Sequence, residues 1–389
     1  MKVTLWISLF LIFYTFLGYG ILLYVLVKLK RLLKGKPQIA SNLNALPTCT
    51  LIVAAYNEEQ FIEEKIANTL SLNYPKNLLK FIFITDGSSD KTPQLISKYP
   101  QINLMHKPDR LGKIVAVHRA MQEVDTEVVV FTDANTFLNE DALINICRHY
   151  SNPKTGAVAG EKRVKIEEKD GATAGEGFYW KYESKLKAWD SELYSVVGAA
   201  GELFSIKTSL YQPVPKNSVL DDFMISMLIA EKGYKIVYEP EAYATEGSSE
   251  NVSEELKRKI RIAAGGIQSI VWLKNLLIPF KQPVLSFQYI SHRVLRWTIT
   301  PFLMILALLL NIVIAANQGG LLFQILLICQ VGFYLSALLG LILENRKIRV
   351  KILFIPYYFC VMNYAVIAGI NRYLNGAQSV IWEKAKRAA

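Results

Sequence analysis

Cysteine is scarce and poorly placed for chemistry. The 389 residues hold four, Cys49, Cys147, Cys329 and Cys360, and no two are spaced for a metal site or a disulfide framework. They read as reduced core or membrane cysteines. Also missing are a Gly-x-Gly-x-x-Gly after the first strand and a Gly-x-x-x-x-Gly-Lys-Ser/Thr, which excludes the obvious dinucleotide binders and P-loop proteins. No recognition motif accompanies the net charge of +11, so nucleic acid is not an expected partner. There is no internal repeat and no low-complexity linker.

Apolar residues make up 52% of the chain and gather at its two ends. The basic excess lies in clusters, Lys28–Lys36 and Arg346–Lys351, that flank apolar runs. This placement points to membrane orientation rather than to a polyanion partner. Residues 4–27 are apolar almost throughout, long enough for a helix to cross a hydrocarbon layer of roughly 30 Å. A basic run follows instead of a small-residue cleavage site, which argues against a signal peptide. Residues 1–30 are therefore an expected transmembrane helix, and the positive-inside rule places the chain from residue 28 onward in the cytoplasm.

Residues 48–265 read as a soluble α/β domain. Strands are expected at Cys49–Ala55, Lys80–Thr85, Ile102–His106 and 127–131, with helices between them, so a mostly parallel, doubly wound sheet follows. Beyond it, strands are expected at Gly156–Val164, Ser195–Lys207, Ile236–Tyr238 and Ala242–Thr245. Helices are expected at Glu176–Leu193, which carries Phe178, Tyr179, Trp180, Tyr182 and Trp189, and at Asp221–Lys232. Residues 266–389 form the membrane region: an interfacial amphipathic helix over 267–280, crossings at 297–316 and 321–343, and a segment at 352–371 that reads equally as a bundle-facing crossing or an interfacial helix. Three crossings here would put the C-terminus outside, whereas the basic Lys384–Arg387 tail favours inside.

Polar side chains sit at three successive strand ends: Tyr56-Asn57-Glu58, Asp86 and Asp133. In an open α/β sheet these ends share one edge, where ligands bind. Tyr56 can stack on a base, and Asp86 can accept from an imide N–H or a ribose hydroxyl. Lys113, after the flexible Gly112, can neutralise a diphosphate. Asp133 closes the apolar run Val128–Phe131 and is placed to hold a divalent cation against that diphosphate.

The segments AAYNEE, TDGSSD, DRLGK, TDAN, GAAGELFSIK, LDDF and RKIRIAAGG occur in this order. Together they resemble the family 2 glycosyltransferases with a GT-A fold, in the membrane-embedded branch that contains cellulose, chitin, hyaluronan and poly-N-acetylglucosamine synthases. The resemblance covers roughly residues 48–270. It implies a Rossmann-like GT-A domain in the cytoplasm, attached to transmembrane helices of the cell (inner) membrane. It also implies inverting transfer from a UDP-sugar, dependent on Mg²⁺ or Mn²⁺, to a glycan or lipid acceptor; export or accessory subunits fit such a system. By the resemblance Tyr56, Glu58 and Asp86 hold the uridine, Lys113 lies near the diphosphate, and Asp133 and Asn135 take the place of the metal motif. Asn135 departs from the family's second acid and brings no charge. Gly198 and Gly201 bound the loop under the acceptor sugar. Asp221 and Asp222 match the acidic pair, with Asp222 the general base, and a neighbouring carboxylate should raise its pKa. Arg261 matches the arginine that meets the leaving diphosphate. Arg258 replaces a glutamine and Ile262 replaces a tryptophan that borders the acceptor, which puts processivity in question.

Two other readings stand beside this one. A non-catalytic scaffold or transport subunit would have lost Asp133 or Asp222, and both are present. A nucleotidyltransferase rarely needs membrane spans or an acceptor-side acid pair.

Overall fold

The computed structural model describes residues 1–36, 46–165, 173–247, 252–317, 319–346, 348 and 350–377. Eight strands form one sheet in the order β3-β2-β1-β4-β7-β6-β8-β5. They are β1 Cys49–Ala55, β2 Leu79–Asp86, β3 Asn103–Lys107, β4 Val128–Asp133, β5 Thr136–Leu138, β6 Thr155–Lys165, β7 Leu203–Lys207 and β8 Lys235–Gly247. The first four run parallel, β7 is antiparallel to β4 and β6, β6 and β8 are parallel, and β5 is antiparallel to β8. The expected mostly parallel sheet is what forms.

The apolar runs explain the centre of the sheet. Every residue of β1 is buried. Ile52 and Ala54 face one core with Ile84 and Phe131, while Leu51 and Val53 face the other with Phe83 and Val130. A strand covered on both faces has no polar side, hence its unbroken apolar run. These packed strands hold the carboxyl edge in place.

Two strand boundaries differ from expectation. Residues 195–202 are irregular, and only Leu203–Lys207 is strand. Gly198 breaks the segment with φ +83°. A Cβ there would lie 2.1 Å from the Phe223 ring, so glycine is needed on both counts. The two short strands expected near 236–245 are one strand, β8, whose register against β6 jumps between Gly160 and Glu161. Pro240 falls in the jump and has no N–H to donate to a ladder.

The N-terminal helix runs Lys2–Phe13, passes through a π-turn at Tyr14–Gly18 and continues as Tyr19–Lys34. Its basic end is docked. Lys30 donates to the carbonyls of Glu192 and Leu193 at 2.5 and 2.9 Å, and Arg31 pairs with both Glu192 carboxylate oxygens at 2.5 Å. These contacts satisfy the carbonyl end of the helix Thr173–Leu193. That helix is the expected aromatic one. Its Tyr182 donates to the Phe16 carbonyl at 3.0 Å, and Trp189 lies 5.3 Å from the Tyr24 ring, so these aromatics pack on the N-terminal helix. The side chains of Phe178, Tyr179 and Trp180 lie outside the described residues.

Among the described residues, Lys2–Lys34, Leu321–Asn345 and Ile352–Leu374 are long and apolar enough to cross a membrane. Pro283–Trp297 and Thr300–Ala316, bent by 60°, make a further span if they act as one. The helix expected over 267–280 does not form as a separate element. Ile267–Trp272 ends a longer helix, Val252–Trp272, and Leu273 and Leu276 are buried in the core of the sheet domain. Lys351–Leu374 packs along that helix, with Gly369 so close to Ala263 that a Cβ would lie 2.6 Å from it. The basic tail after residue 377 lies outside the described residues.

Candidate active site

The ends of β1, β2 and β4 carry the site. Tyr56 follows β1, and the Arg110 guanidinium lies 3.9 Å over its ring. Asp86 ends β2 and is buried, accepting from the backbone N–H groups of Leu111 and Gly112 at 3.1 and 2.7 Å. Gly87 has φ +70°, and a Cβ there would meet the Arg110 backbone at 2.9 Å. Asp86 and Gly87 thus seat the loop that delivers Arg110 and Lys113. Ala55, Tyr56, Ile84, Asp86, Arg110 and Lys113 line one cleft. Glu58 is buried, and its backbone N–H donates to the Thr92 hydroxyl at 2.9 Å. The Tyr56–Glu58 turn is further tied to the TDGSSD loop by Asn57, whose N–H donates to Ser88 at 3.1 Å and whose side-chain oxygen accepts from Ser89 N–H at 2.8 Å.

Asp133 is the last residue of β4, and the Lys113 ammonium sits 2.6 Å from its carboxylate. Asp221 and Asp222 open the helix Asp221–Glu231, where acids suit the helix dipole. The Gly201 backbone adjoins both Asp222 and Lys113. A Cβ on it would be 3.2 Å from an Asp222 carboxylate oxygen and 3.4 Å from the Lys113 nitrogen. Burial would lower the Lys113 pKa, but Asp133, Asp221 and Asp222 outweigh it and hold the ammonium above the ordinary lysine range. Burial first, and then the Asp221 charge, push Asp222 up to about 7 against the opposing pull of Lys113. The Asp221 charge expected to raise this pKa does so, but burial is the larger cause.

The site residues are only partly brought together. Lys113, Asp133, Asp221, Asp222 and Gly201 form one cluster, and Tyr56 and Asp86 lie along the same cleft. Asn135 is buried in the β4–β5 turn. Gly198 accommodates Phe223, next to Asp222. Arg261 is half-buried on Val252–Trp272. One turn earlier, Arg258 pairs with Glu255 at 3.0 Å, and its charge is felt at Glu202, beside Gly201. Glu202 in turn pairs with Lys162 at 2.6 Å, and Lys162 reaches Glu246 at 2.8 Å.

Sequence reasoning passed over Arg110, the Lys162–Glu202 pair and Lys65. A signal for Lys65 existed. Ile62, Lys65, Ile66 and Thr69 all face inward on the helix Ile62–Leu70, so a lysine occupies the buried stripe at helical spacing.

A hard divalent cation suits the chemistry at Asp133. The donor is a carboxylate at an open strand end, and a cation, the Lys113 ammonium, already stands against it. Among the described residues no three His, Cys, Asp or Glu side chains converge as a metal cage. A Mg²⁺-type ion commonly takes one or two carboxylates and completes its shell with water and substrate phosphate.

The sheet order, the reversed β7 beside β4 and the acids across the carboxyl edge define a GT-A domain joined to apolar helices. Residues 50–213 match the family described as Glycosyl transferase family 2. The chain is 28% identical over 257 residues, 64% of its length, to the poly-beta-1,6-N-acetyl-D-glucosamine synthase of Staphylococcus aureus (strain COL). It is 26% identical over 275 residues, 69% of its length, to the synthase of the same name from Staphylococcus epidermidis. The matches span 61% and 66% of those relatives. A solved structure, the mannosyltransferase PcManGT from Pyrobaculum calidifontis in complex with GDP-Man and Mn²⁺, superposes with a TM-score of 0.71 at 24% identity. That likeness covers 95% of this chain and 99% of the other, so the shared fold includes the apolar helices.

A pH prediction follows from Asp222. If Asp222 serves as the base it must be ionised to take a proton, and kcat/KM is then expected to rise through about pH 7 and level off above it. Asp221→Asn removes one charge that raises this pKa, and the midpoint of the kcat/KM profile should move to lower pH. A midpoint that stays in place would separate Asp221 from the titrating group.

Proposed function

We propose that this chain transfers a sugar, with inversion, from a UDP-sugar of the glucose or N-acetylglucosamine type to a glycan or glycolipid acceptor at the cytoplasmic face of the membrane. One observation carries the reading: Asp222 and Lys113 meet over Gly201, with Asp133 2.6 Å from Lys113. This brings a candidate base and a diphosphate-binding charge to one glycine.

In this reading Asp222 accepts the acceptor hydroxyl's proton as the oxygen attacks the anomeric carbon, and the bond to the diphosphate breaks. Lys113 leaves Asp133 for the diphosphate and stabilises the charge that develops there. Gly198 seats the Phe223 ring beside Asp222, and the Gly201 backbone would face the acceptor sugar. Tyr56 and Arg110 would meet the base end of the nucleotide, Glu58 and Asp86 would support the uridine, and Arg261 would meet the leaving diphosphate. Asp133 and Asn135 would hold Mg²⁺ or Mn²⁺, which would neutralise the leaving diphosphate. The names of the staphylococcal relatives support N-acetylglucosamine and a growing polymer. A scaffold without catalysis would have no need to keep Asp222 in surroundings that raise its pKa toward neutrality.

The test offers membranes containing the chain a panel of UDP-glucose, UDP-N-acetylglucosamine and GDP-mannose with Mg²⁺ or Mn²⁺. UDP release from at least one UDP-sugar is expected, none without a divalent ion, and product length reports processivity. Turnover of GDP-mannose alone would overturn the choice of nucleotide.

A further inference from the structure

Lys65 has no part in the reading above, yet it lies directly beneath the turn that carries Asp133 and Asn135. Its side chain is fully buried. Its ammonium donates to the Thr136 carbonyl at 2.6 Å and to the Thr132 hydroxyl at 3.2 Å. Those two threonines bracket residues 133–135 and are bonded to their surroundings. The Thr132 hydroxyl donates to the Glu202 carbonyl at 2.9 Å, the Thr136 hydroxyl donates to the Asp133 carbonyl at 3.0 Å, and the two hydroxyls are 3.0 Å apart. The ammonium is thus the hub that joins the helix Ile62–Leu70, the β4–β5 turn and the Gly201–Glu202 loop.

A buried ammonium is costly when its hydrogen-bond partners are neutral, and a lysine stem needs no charge to fill a core. Burial pulls the Lys65 pKa down to about 7, with Asp133 the opposing influence. A methionine would fill the space without that cost. We propose that Lys65 is a positioning residue: its buried ammonium pins the β4–β5 turn so that Asp133 keeps its aim at the diphosphate when Lys113 departs. The inference rests on the reading of Asp133 as the metal-holding acid. Lys113 lines the cleft beside Asp133, whereas Lys65 is enclosed beneath the turn.

The test measures UDP affinity with and without Mn²⁺ by calorimetry, and Mn²⁺ itself by electron paramagnetic resonance, in wild type and Lys65→Met. Lys65→Met should lose at least about tenfold of the Mn²⁺-dependent gain in UDP affinity, keep its metal-free UDP affinity within about twofold, and melt at or above the wild-type temperature. A purely structural lysine would instead lower the melting temperature and weaken both affinities together, and that result overturns the proposal. An unchanged Mn²⁺-dependent gain in a folded Lys65→Met also overturns it. If this variant does not fold, Thr132→Val decides. It removes the hydroxyl shared by Lys65 and the Glu202 carbonyl, and it should reduce the gain; an intact gain contradicts the pinning. A wild-type chain whose UDP affinity ignores Mn²⁺ would refute the reading of Asp133 first, and the role of Lys65 with it.

Discussion

Asp222→Asn is expected to slow sugar transfer by about a thousandfold while UDP affinity stays within about twofold of wild type. The amide keeps the shape of the side chain but cannot accept the proton. Asp222 stands over Gly201, away from the Tyr56–Asp86 end of the cleft, so the nucleotide should still bind. A second effect has the opposite sign. The folded-state pKa of Asp222 is raised above the unfolded value, so its contribution to stability is present at low pH and lost as pH rises through about 7. At pH 8 the wild type holds an ionised carboxylate in a buried, acidic place, and the amide does not. Asp222→Asn should therefore melt higher than wild type at pH 8, with the difference shrinking toward pH 5. Such an exchange of stability for function is expected of a catalytic group. Equal melting temperatures with full activity would remove Asp222 from catalysis.

Asp133→Ala is expected to abolish the dependence of UDP affinity on divalent ions. Wild type should bind UDP at least about tenfold more tightly with Mn²⁺ than without, and the variant equally in both conditions. Metal-free UDP affinity should not fall, because the Lys113 ammonium loses its 2.6 Å partner and becomes available to the diphosphate. The strand itself should survive, since Val128–Phe131 are buried on both faces and the side chain at 133 lies at the edge. If Asp133→Ala retains a Mn²⁺-dependent gain, the ion is held elsewhere and Asp133 is only the resting partner of Lys113.

The legible parts of the chain were those governed by local pattern. Cys49–Ala55 and Val128–Asp133 could be placed because a strand covered on both faces must be apolar throughout. Asp133 and the acid pair could be placed because they sit at element ends, where a strand stops or a helix starts. The less legible features depend on partners distant in sequence. Nothing near Arg110 says that it covers Tyr56, or that Asp86 spends both carboxylate oxygens on the Leu111 and Gly112 amides. The Lys162–Glu202–Glu246 chain joins residues from three separate stretches. The jump at Pro240 could have been suspected, since proline cannot serve a central ladder. The separate helix expected over residues 267–280 is not seen because Ile270, Leu273 and Leu276 pack into the sheet domain's core, while Val271, Ile278 and Phe280 stay exposed. Arg258 and Arg261 belong to one helix, and the Arg258 charge reaches Glu202, beside Gly201.

The most direct test of the whole account is the linkage in the product. The chain, purified in detergent with Mn²⁺, would be given the UDP-sugar it turns over and a matching acceptor, and the new bond read by nuclear magnetic resonance. A single displacement with Asp222 as base takes an α-linked donor to a β-linked product. An α linkage, or transfer that persists in Asp222→Asn, would contradict it.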